Sequence, residues 1–251
     1  MKVLVVFAHP KPKGSFNHAV LEEFTRGLQD AGHDYEVVDL YRSGFDPIFK
    51  VEDYVFFANE SIPEDVLEQM GWREAVLEAA SAGPFGFIKK RMAQRWLRDK
   101  SLKEIVREIG KNPPKDVLEQ QAKVAWADGI AFIAPIIWMH YPAMMKGWME
   151  RVFSYGFAYA LKPEGWGGSS DGRIPLLKLQ KGLSMTSTFF TEEDYRSKGF
   201  HDALAKLVDD WHLRYVGIEE VDHVYFWAIA AVDDQTRKQY LADAYRLGKE
   251  F

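Results

Sequence analysis

Residues 1–17 read MKVLVVFAHPKPKGSFN, and the fold follows from them. Val3, Leu4, Val5, Val6 and Phe7 form a short unbroken apolar run, the pattern of a strand buried on both faces in a parallel sheet. Ala8 to Gly14 follow, and Pro10 and Pro12 bar a helix there. Ser15 then stands as N-cap of a helix whose apolar positions Val20, Leu21, Phe24, Leu28 and Ala31 recur at helical spacing until Gly32. Strand, tight loop and capped helix make a βα unit. Its loop falls where open α/β sheets bind ligands, and free amides at a helix start suit phosphate, although an ordinary βα turn has the same local pattern. Neither G-x-G-x-x-G nor G-x-x-x-x-G-K-S/T occurs, so the dinucleotide fingerprint and the Walker loop are both excluded.

Working outward, Tyr35 to Leu40 reads as a second strand and Gly129 to Pro135 (GIAFIAP), all apolar, as a central parallel strand. Lys181 to Thr188 and Glu220 to Trp227 make the fourth and fifth strands, and His223 within the last reads as structural. From Asp53 to Ala127 only helical patterns occur. One spans Pro63 to Ala80, one is the basic stretch Phe85 to Leu97, and one begins at Asn112-Pro113-Pro114 with Leu118, Ala122, Ala125 and Trp126 facing inward. The basic stretch reads as a solvated face or as a docking site for an anionic partner. Pro142 opens a helix running to about Phe153, and His201 to Tyr215 is amphipathic with Leu204, Leu207, Val208 and Trp211 on one stripe. Asp233 and Asp234 start the last helix. Strand and helix alternate throughout, which implies a doubly wound α/β sheet, given the order 2-1-3-4-5 by analogy with flavodoxin-like proteins.

Three stretches carry candidate chemistry. Ile136 to Tyr141 places large apolar and aromatic side chains at a strand end, where either a flat ligand or a covering helix must pack on them. Tyr155, Phe157, Tyr159 and Trp166, set among glycines, suggest a mobile wall around a pocket. Thr186, Ser187 and Thr188 end the fourth strand with hydroxyls that either bond a ligand or cap the next turn.

With 251 residues, 47% of them hydrophobic, the chain can bury a full core, and a single domain over 1–251 with a helical insertion at about 72–110 is expected. A net charge of -5 argues against a nucleic-acid partner, and the absence of cysteine removes disulfides, thiol chemistry and Cys-based metal sites. The first apolar run is too short for a signal peptide, and no uncharged stretch has membrane length. A soluble cytoplasmic protein with no stable membrane insertion is expected.

AHPKPKGSFN at 8–17, APIIWMHYPAMMKGWMERVF at 134–153, GFAY at 156–159, and Tyr195 with His201 together resemble the NAD(P)H:quinone oxidoreductase family of flavodoxin-like flavoproteins. The most specific part is PAMMKGWMERVF. The resemblance implies two-electron reduction of quinones or related acceptors by NAD(P)H in a ping-pong cycle. It also implies a flavin, FAD with FMN as the alternative, at the C-terminal edge of the sheet.

Residue by residue, it places His9, Ser15, Phe16, Asn17 and Ala19 at the flavin phosphate and Pro135, Ile136, Ile137, Trp138 and Met139 along the ring. Trp138, Met139 and Tyr159 would face substrate. Met139 stands where Phe is common, and Leu161 where Tyr159 usually has a tyrosine partner. Thr186, Ser187 and Thr188 match a T-T-G-G turn whose glycines are here Thr188 and Phe189. Arg237 and Leu241 fall at adenine-side positions, which favours FAD. Tyr195 and His201 are the implied catalytic pair, a hydrogen-bond donor and a group able to exchange a proton near neutral pH. A homodimer is implied. The family also includes ancillary subunits of potassium efflux transporters, and a flavodoxin-type electron carrier is the remaining alternative.

Overall fold

The computed structural model describes residues 1–54, 62–109 and 113–251. The chain forms two compact units, the first comprising Met1–Lys50, Lys115–Phe153 and Leu177–Phe251, the second Val51–Pro114 and Ser154–Leu176.

In chain order the elements are β1 (Lys2–Phe7), α1 (Phe16–Asp30), β2 (Asp34–Asp39), α2 (Glu64–Gln69), α3 (Trp72–Ser81), α4 (Gly86–Leu97), α5 (Leu102–Ile109) and α6 (Lys115–Trp126). Then come β3 (Gly129–Pro135), α7 (Ala143–Val152), β4 (Tyr159–Leu161), α8 (Pro163–Trp166), β5 (Arg173–Pro175) and β6 (Lys181–Ser187). The chain closes with α9 (Glu192–Ser197), α10 (Phe200–Leu204), a π-helical stretch Ala205–Leu213, β7 (Glu220–Phe226) and α11 (Asp234–Lys249).

In the first unit five strands pair in parallel in the order β2-β1-β3-β6-β7, which is the expected 2-1-3-4-5 winding. The two apolar runs occupy the interior: Val3 to Phe7 and Ile130 to Ala134 are fully buried. Both faces of these strands are covered, so every position along them is apolar. Phe24, Leu28, Met185, Phe226 and Phe251 complete the core around them. Gly32, at φ 75°, turns the chain out of α1 in the left-handed conformation.

Two expectations about faces and one about a helix boundary are corrected. In α6 the buried positions are Val117, Gln120, Gln121 and Val124, while Leu118, Ala122 and Ala125 are exposed and Trp126 is half-buried. The inward glutamines are satisfied: Trp148 Nε1 donates to Gln120 Oε1 (3.1 Å) and Gln121 Nε2 to the Val152 carbonyl (3.1 Å). Beyond α10, Leu204 and Val208 are buried but Leu207 and Trp211 are exposed. The π-helical winding of Ala205–Leu213 takes more residues per turn than an α-helix, so a stripe counted at 3.6 residues drifts off the core. The single helix expected over 63–80 is two, because Gly71 at φ 67° separates α2 from α3. Asn112, read as part of a helix start, and Gly110, the last residue of the expected insertion, lie outside the described residues.

α7 sits against the 46–47 segment so closely that a Cβ on Gly147 would lie 2.1 Å from the Pro47 carbonyl oxygen. Backbone cannot yield as a side chain does, so Gly147→Ala is expected to lower stability by about 2 kcal/mol even after the gain in helix propensity. A urea midpoint unchanged from the parent would contradict that packing.

In the second unit Ile62, Leu67, Leu97, Ile105, Val106 and Ala160 form a separate buried cluster. The glycine-rich aromatic stretch expected as a mobile wall carries short regular elements. β4 pairs antiparallel with β5, Tyr159 opposite Pro175, and α8 lies between them in sequence.

Candidate active site

The parallel winding brings the C-terminal ends of β1, β3, β6 and β7 to one edge of the sheet. At the first of these ends, Ser15 caps α1: its Oγ accepts from the His18 amide (3.3 Å) and lies 2.6 Å from His18 Nδ1. The His18 ring sits edge-on to Phe7 (4.9 Å) and His9 (5.4 Å), and the Lys11 amide donates to His9 Nδ1 (3.1 Å). Burial, and then the neighbouring His18, push the His9 pKa down. Asn17 is buried, and its Nδ2 and the Nε2 of His18 are both enclosed with no hydrogen-bond partner. An enclosed polar atom left unpaired costs about 1–3 kcal/mol, so two of them at a helix start point to a polar ligand. Lys11 and Lys13 stand exposed on the same loop, and the α1 dipole adds positive potential there. The arrangement suits an anion. Phe16 packs edge-on against Phe226 (5.7 Å) and Tyr240 (6.4 Å), and Ala19 is half-buried one turn into the helix.

At the end of β3, the Ile136 amide donates to the Ser187 carbonyl (2.8 Å), continuing the strand pairing past Pro135. Ile137 and His140 then exchange backbone hydrogen bonds of 2.8 and 3.2 Å around Trp138 and Met139. Both central residues have positive φ, 51° and 59°. Such a turn normally takes Asn-Gly, and a Trp-Met pair held there stores strain of about 1–3 kcal/mol per residue. The turn displays Trp138 at 95% exposure, with Met139 half-buried beside it. No described helix covers the indole.

Behind the turn, the His140 and His212 rings meet at 5.6 Å. Burial lowers both pKa values most. His212 and Lys146 lower that of His140 further, while Glu150 opposes them. Both rings are therefore neutral in the folded chain where the unfolded chain begins to take up protons, near pH 6.5. Their contribution to stability is complete above that pH and is lost as pH falls below it. The melting temperature should drop between about pH 6.5 and 5, and the drop should be shallower in His140→Gln/His212→Gln. Parallel pH profiles for parent and variant would contradict this.

β6 ends in buried hydroxyls. Thr186 Oγ1 lies 3.0 Å from His223 Nε2, and His223 Nδ1 lies 3.0 Å from Asp209 Oδ1, so both groups are committed inside the protein. Thr188 Oγ1 donates to the Phe190 carbonyl (2.7 Å) and accepts from the Ala228 amide (3.1 Å), which is the turn-capping alternative. The turn expected to need glycine runs through Thr188 and Phe189 without positive φ at either. Ser187 is buried, its carbonyl taken by Ile136.

Along β7, His223, Tyr225 and Trp227 stack in a ladder, with ring separations of 4.0 and 4.5 Å. Tyr195 and His201 both pack against Trp227, at 5.2 and 6.5 Å. The two implied catalytic residues are thus brought to one aromatic wall. Burial raises the Tyr195 pKa, which keeps its hydroxyl protonated, and His201 Nδ1 lies 3.0 Å from Asp202 Oδ1.

The remaining candidates have partners of their own. The Arg237 guanidinium donates to the Ile229 carbonyl (3.2 Å) and to Asp234 (2.9 Å), and Leu241 packs on the hydrophobic core. Tyr159 belongs to the second unit, where it meets Tyr155 edge-on at 5.9 Å. His18, Tyr225 and Trp227 were not singled out by the sequence. For His18 the available signal was its place three residues after the capping serine.

A family model described as "Flavodoxin-like fold" matches residues 1–247, and the chain belongs to that family. Within it the resemblance to NAD(P)H:quinone oxidoreductases holds. The NAD(P)H:quinone oxidoreductase of Methanothermobacter marburgensis superposes with a TM-score of 0.71 at 30% identity, covering 99% of this chain and 98% of that one. An uncharacterized NAD(P)H oxidoreductase of Haemophilus influenzae is 25% identical over 95% of this chain and 89% of its own length. The ribosyldihydronicotinamide dehydrogenase-like protein traD of Penicillium crustosum is 33% identical over 64% of this chain, and the match spans about half of that relative, 47%.

Proposed function

We propose that the chain is a flavin-dependent oxidoreductase that uses NAD(P)H to reduce quinones or related acceptors. The observation that carries this reading is the pair of unpaired buried atoms, Asn17 Nδ2 and His18 Nε2, at the start of α1 on the ligand-facing edge of the sheet. The residues present fit a flavin phosphate: Ser15, Asn17 and the first amides of α1 supply donors, and Lys11 and Lys13 supply charge. A bound flavin supplies two-electron transfer between NAD(P)H and the acceptor.

The chain's own part is positioning and proton handling. Ile136, Ile137 and the strained Trp138-Met139 turn form an apolar wall, which excludes water from a flat ring and from an acceptor stacked on it. Tyr195 offers a protonated hydroxyl to charge developing on an acceptor oxygen or ring carbonyl. His201, whose Nδ1 lies 3.0 Å from Asp202 Oδ1, carries the proton that accompanies the electrons. Oxidised nicotinamide leaves before the acceptor enters the same wall, a ping-pong order. His201→Ala should slow flavin reduction by NAD(P)H about 10²-fold or more while leaving flavin affinity within a few-fold. Unchanged half-reaction kinetics in stopped flow would remove His201 from the mechanism.

FAD is the proposed cofactor, because the resemblance puts Arg237 and Leu241 at adenine-side positions. FMN is the second reading, favoured by the engagement of the Arg237 guanidinium with Ile229 and Asp234. The proposed assembly is a homodimer and the proposed compartment the cytoplasm. Denaturing release of bound flavin, separated by chromatography, tests the cofactor directly. FAD upholds the full reading, FMN corrects it, and protein that takes up neither overturns it.

A further inference from the structure

In the second unit, α4 is held by its inner face. Leu97 is buried, Trp96 is half-buried, and the Arg73 guanidinium donates to the Leu97 carbonyl (2.8 Å). Its outer face does not look like an ordinary solvated one. Phe85 is 75% exposed, Phe87 81%, Ile88 55% and Met92 68%. Ile88 and Met92 form one i, i+4 ridge, and Arg91 and Arg95 form the ridge beside it. Lys89, Lys90 and Arg98 add to the charge, so Phe85 to Arg98 carries five cations and no carboxylate in a chain of net charge -5. Among the described residues none of those five cations has an ion-pair partner. A solvated face explains the charges but not four large apolar side chains held out in water among them.

We infer that α4 and the Phe85 turn before it form a peripheral docking surface for an anionic lipid bilayer. The combination of exposed Phe, Ile and Met with flanking Lys and Arg is what an interfacial helix needs. The apolar groups enter the boundary between headgroups and acyl chains, while the long cationic side chains reach lipid phosphates and carboxylates. Charge complementarity selects this occupant over a second copy meeting the same face across a twofold axis, which would oppose like charges. The contact is on the surface only, since no described helix is long and apolar enough to cross a membrane. It stands apart from the oxidoreductase reading, because docking involves none of the residues at the sheet edge.

The test is sedimentation of the full chain with vesicles of phosphatidylcholine alone and of phosphatidylcholine mixed with phosphatidylserine. Binding is expected to the mixed vesicles only and to fade with added salt. Each charge removed should weaken partition about fivefold, so Arg91→Gln/Arg95→Gln loses about twentyfold or more. Phe85→Ser/Phe87→Ser should lose about tenfold with the charges intact. All four positions are exposed, and an unchanged melting temperature shows that the variants fold. Because the chain has no cysteine, Phe87→Cys provides a single site for an environment-sensitive dye, whose emission should shift blue on the mixed vesicles. Absent binding, equal binding to both vesicle types, or full binding by the variants overturns the inference. A dye shift that follows protein concentration without lipid assigns the patch to a second copy and overturns it equally. None of these outcomes depends on flavin or NAD(P)H.

Discussion

The double variant Trp138→Asn/Met139→Gly is expected to be more stable than the parent and nearly inactive. Trp138 and Met139 hold φ values of 51° and 59°, a conformation that side chains larger than glycine occupy at a cost. Asn-Gly is the pair that such a two-residue turn takes without strain, so the substitution should add about 2 kcal/mol of stability, read as a raised urea midpoint. The same change removes the exposed indole and the thioether beside it, the flat wall proposed for the acceptor. Quinone reduction should fall about 10²-fold or more, chiefly through loss of the stacked geometry. Opposite signs in stability and activity are the signature of strain retained for function. A variant that loses both has been misfolded by the change, and one that keeps full activity shows that the turn is not the substrate wall.

Asn17→Leu should also separate stability from function. The buried amide Nδ2 of Asn17 makes no hydrogen bond, so replacing it with an apolar group of similar size should leave the flavin-free chain as stable as before or more so. Flavin binding should weaken by about 10–100-fold, the worth of a hydrogen bond to a charged phosphate oxygen. Flavin fluorescence titration gives the affinity and thermal unfolding without flavin gives the stability. A destabilised flavin-free chain with undiminished affinity would make Asn17 a structural residue and withdraw it from the cradle.

Much of the fold was legible in the chain because its central strands advertise themselves. Residues 3–7 and 129–135 are apolar without a break, and only a strand covered on both faces tolerates that. The alternation of strands and helices then gives a doubly wound sheet, and its strand order came by analogy with flavodoxin-like proteins. The rest of the fold is not legible in the chain for physical reasons. The buried face of α6 contains Gln120 and Gln121, whose amides are satisfied by Trp148 and the Val152 carbonyl, partners fixed only by tertiary structure. The stripe Leu204–Trp211 was counted at α-helical pitch through a segment wound as a π-helix. Helical periodicity in 63–109 identified helices but carried no sign that, with the β4–β5 pair, they would enclose a core of their own.

At the candidate site the residue types were readable and the backbone was not. Trp138 was expected at an exposed strand end, yet nothing in Trp-Met signals a turn that ordinarily calls for Asn-Gly. His18 gave one signal only, its place three residues after the capping serine. Its place is defined by contacts with Ser15, His9 and Phe7, two of them from the preceding strand and loop. Tyr195 and His201 were selected by resemblance, and Trp227 is what brings them to one wall.

The most direct measurement is an anaerobic cycle on the flavin-loaded full chain: NADPH or NADH in slight excess, then a quinone, with the visible flavin absorbance followed throughout. The expected result is rapid bleaching by the nicotinamide and rapid recovery on adding quinone, each at a rate independent of the other reactant's concentration. Absorbance that neither reduced nicotinamide can bleach, or bleached protein that quinone cannot restore, would contradict the assignment.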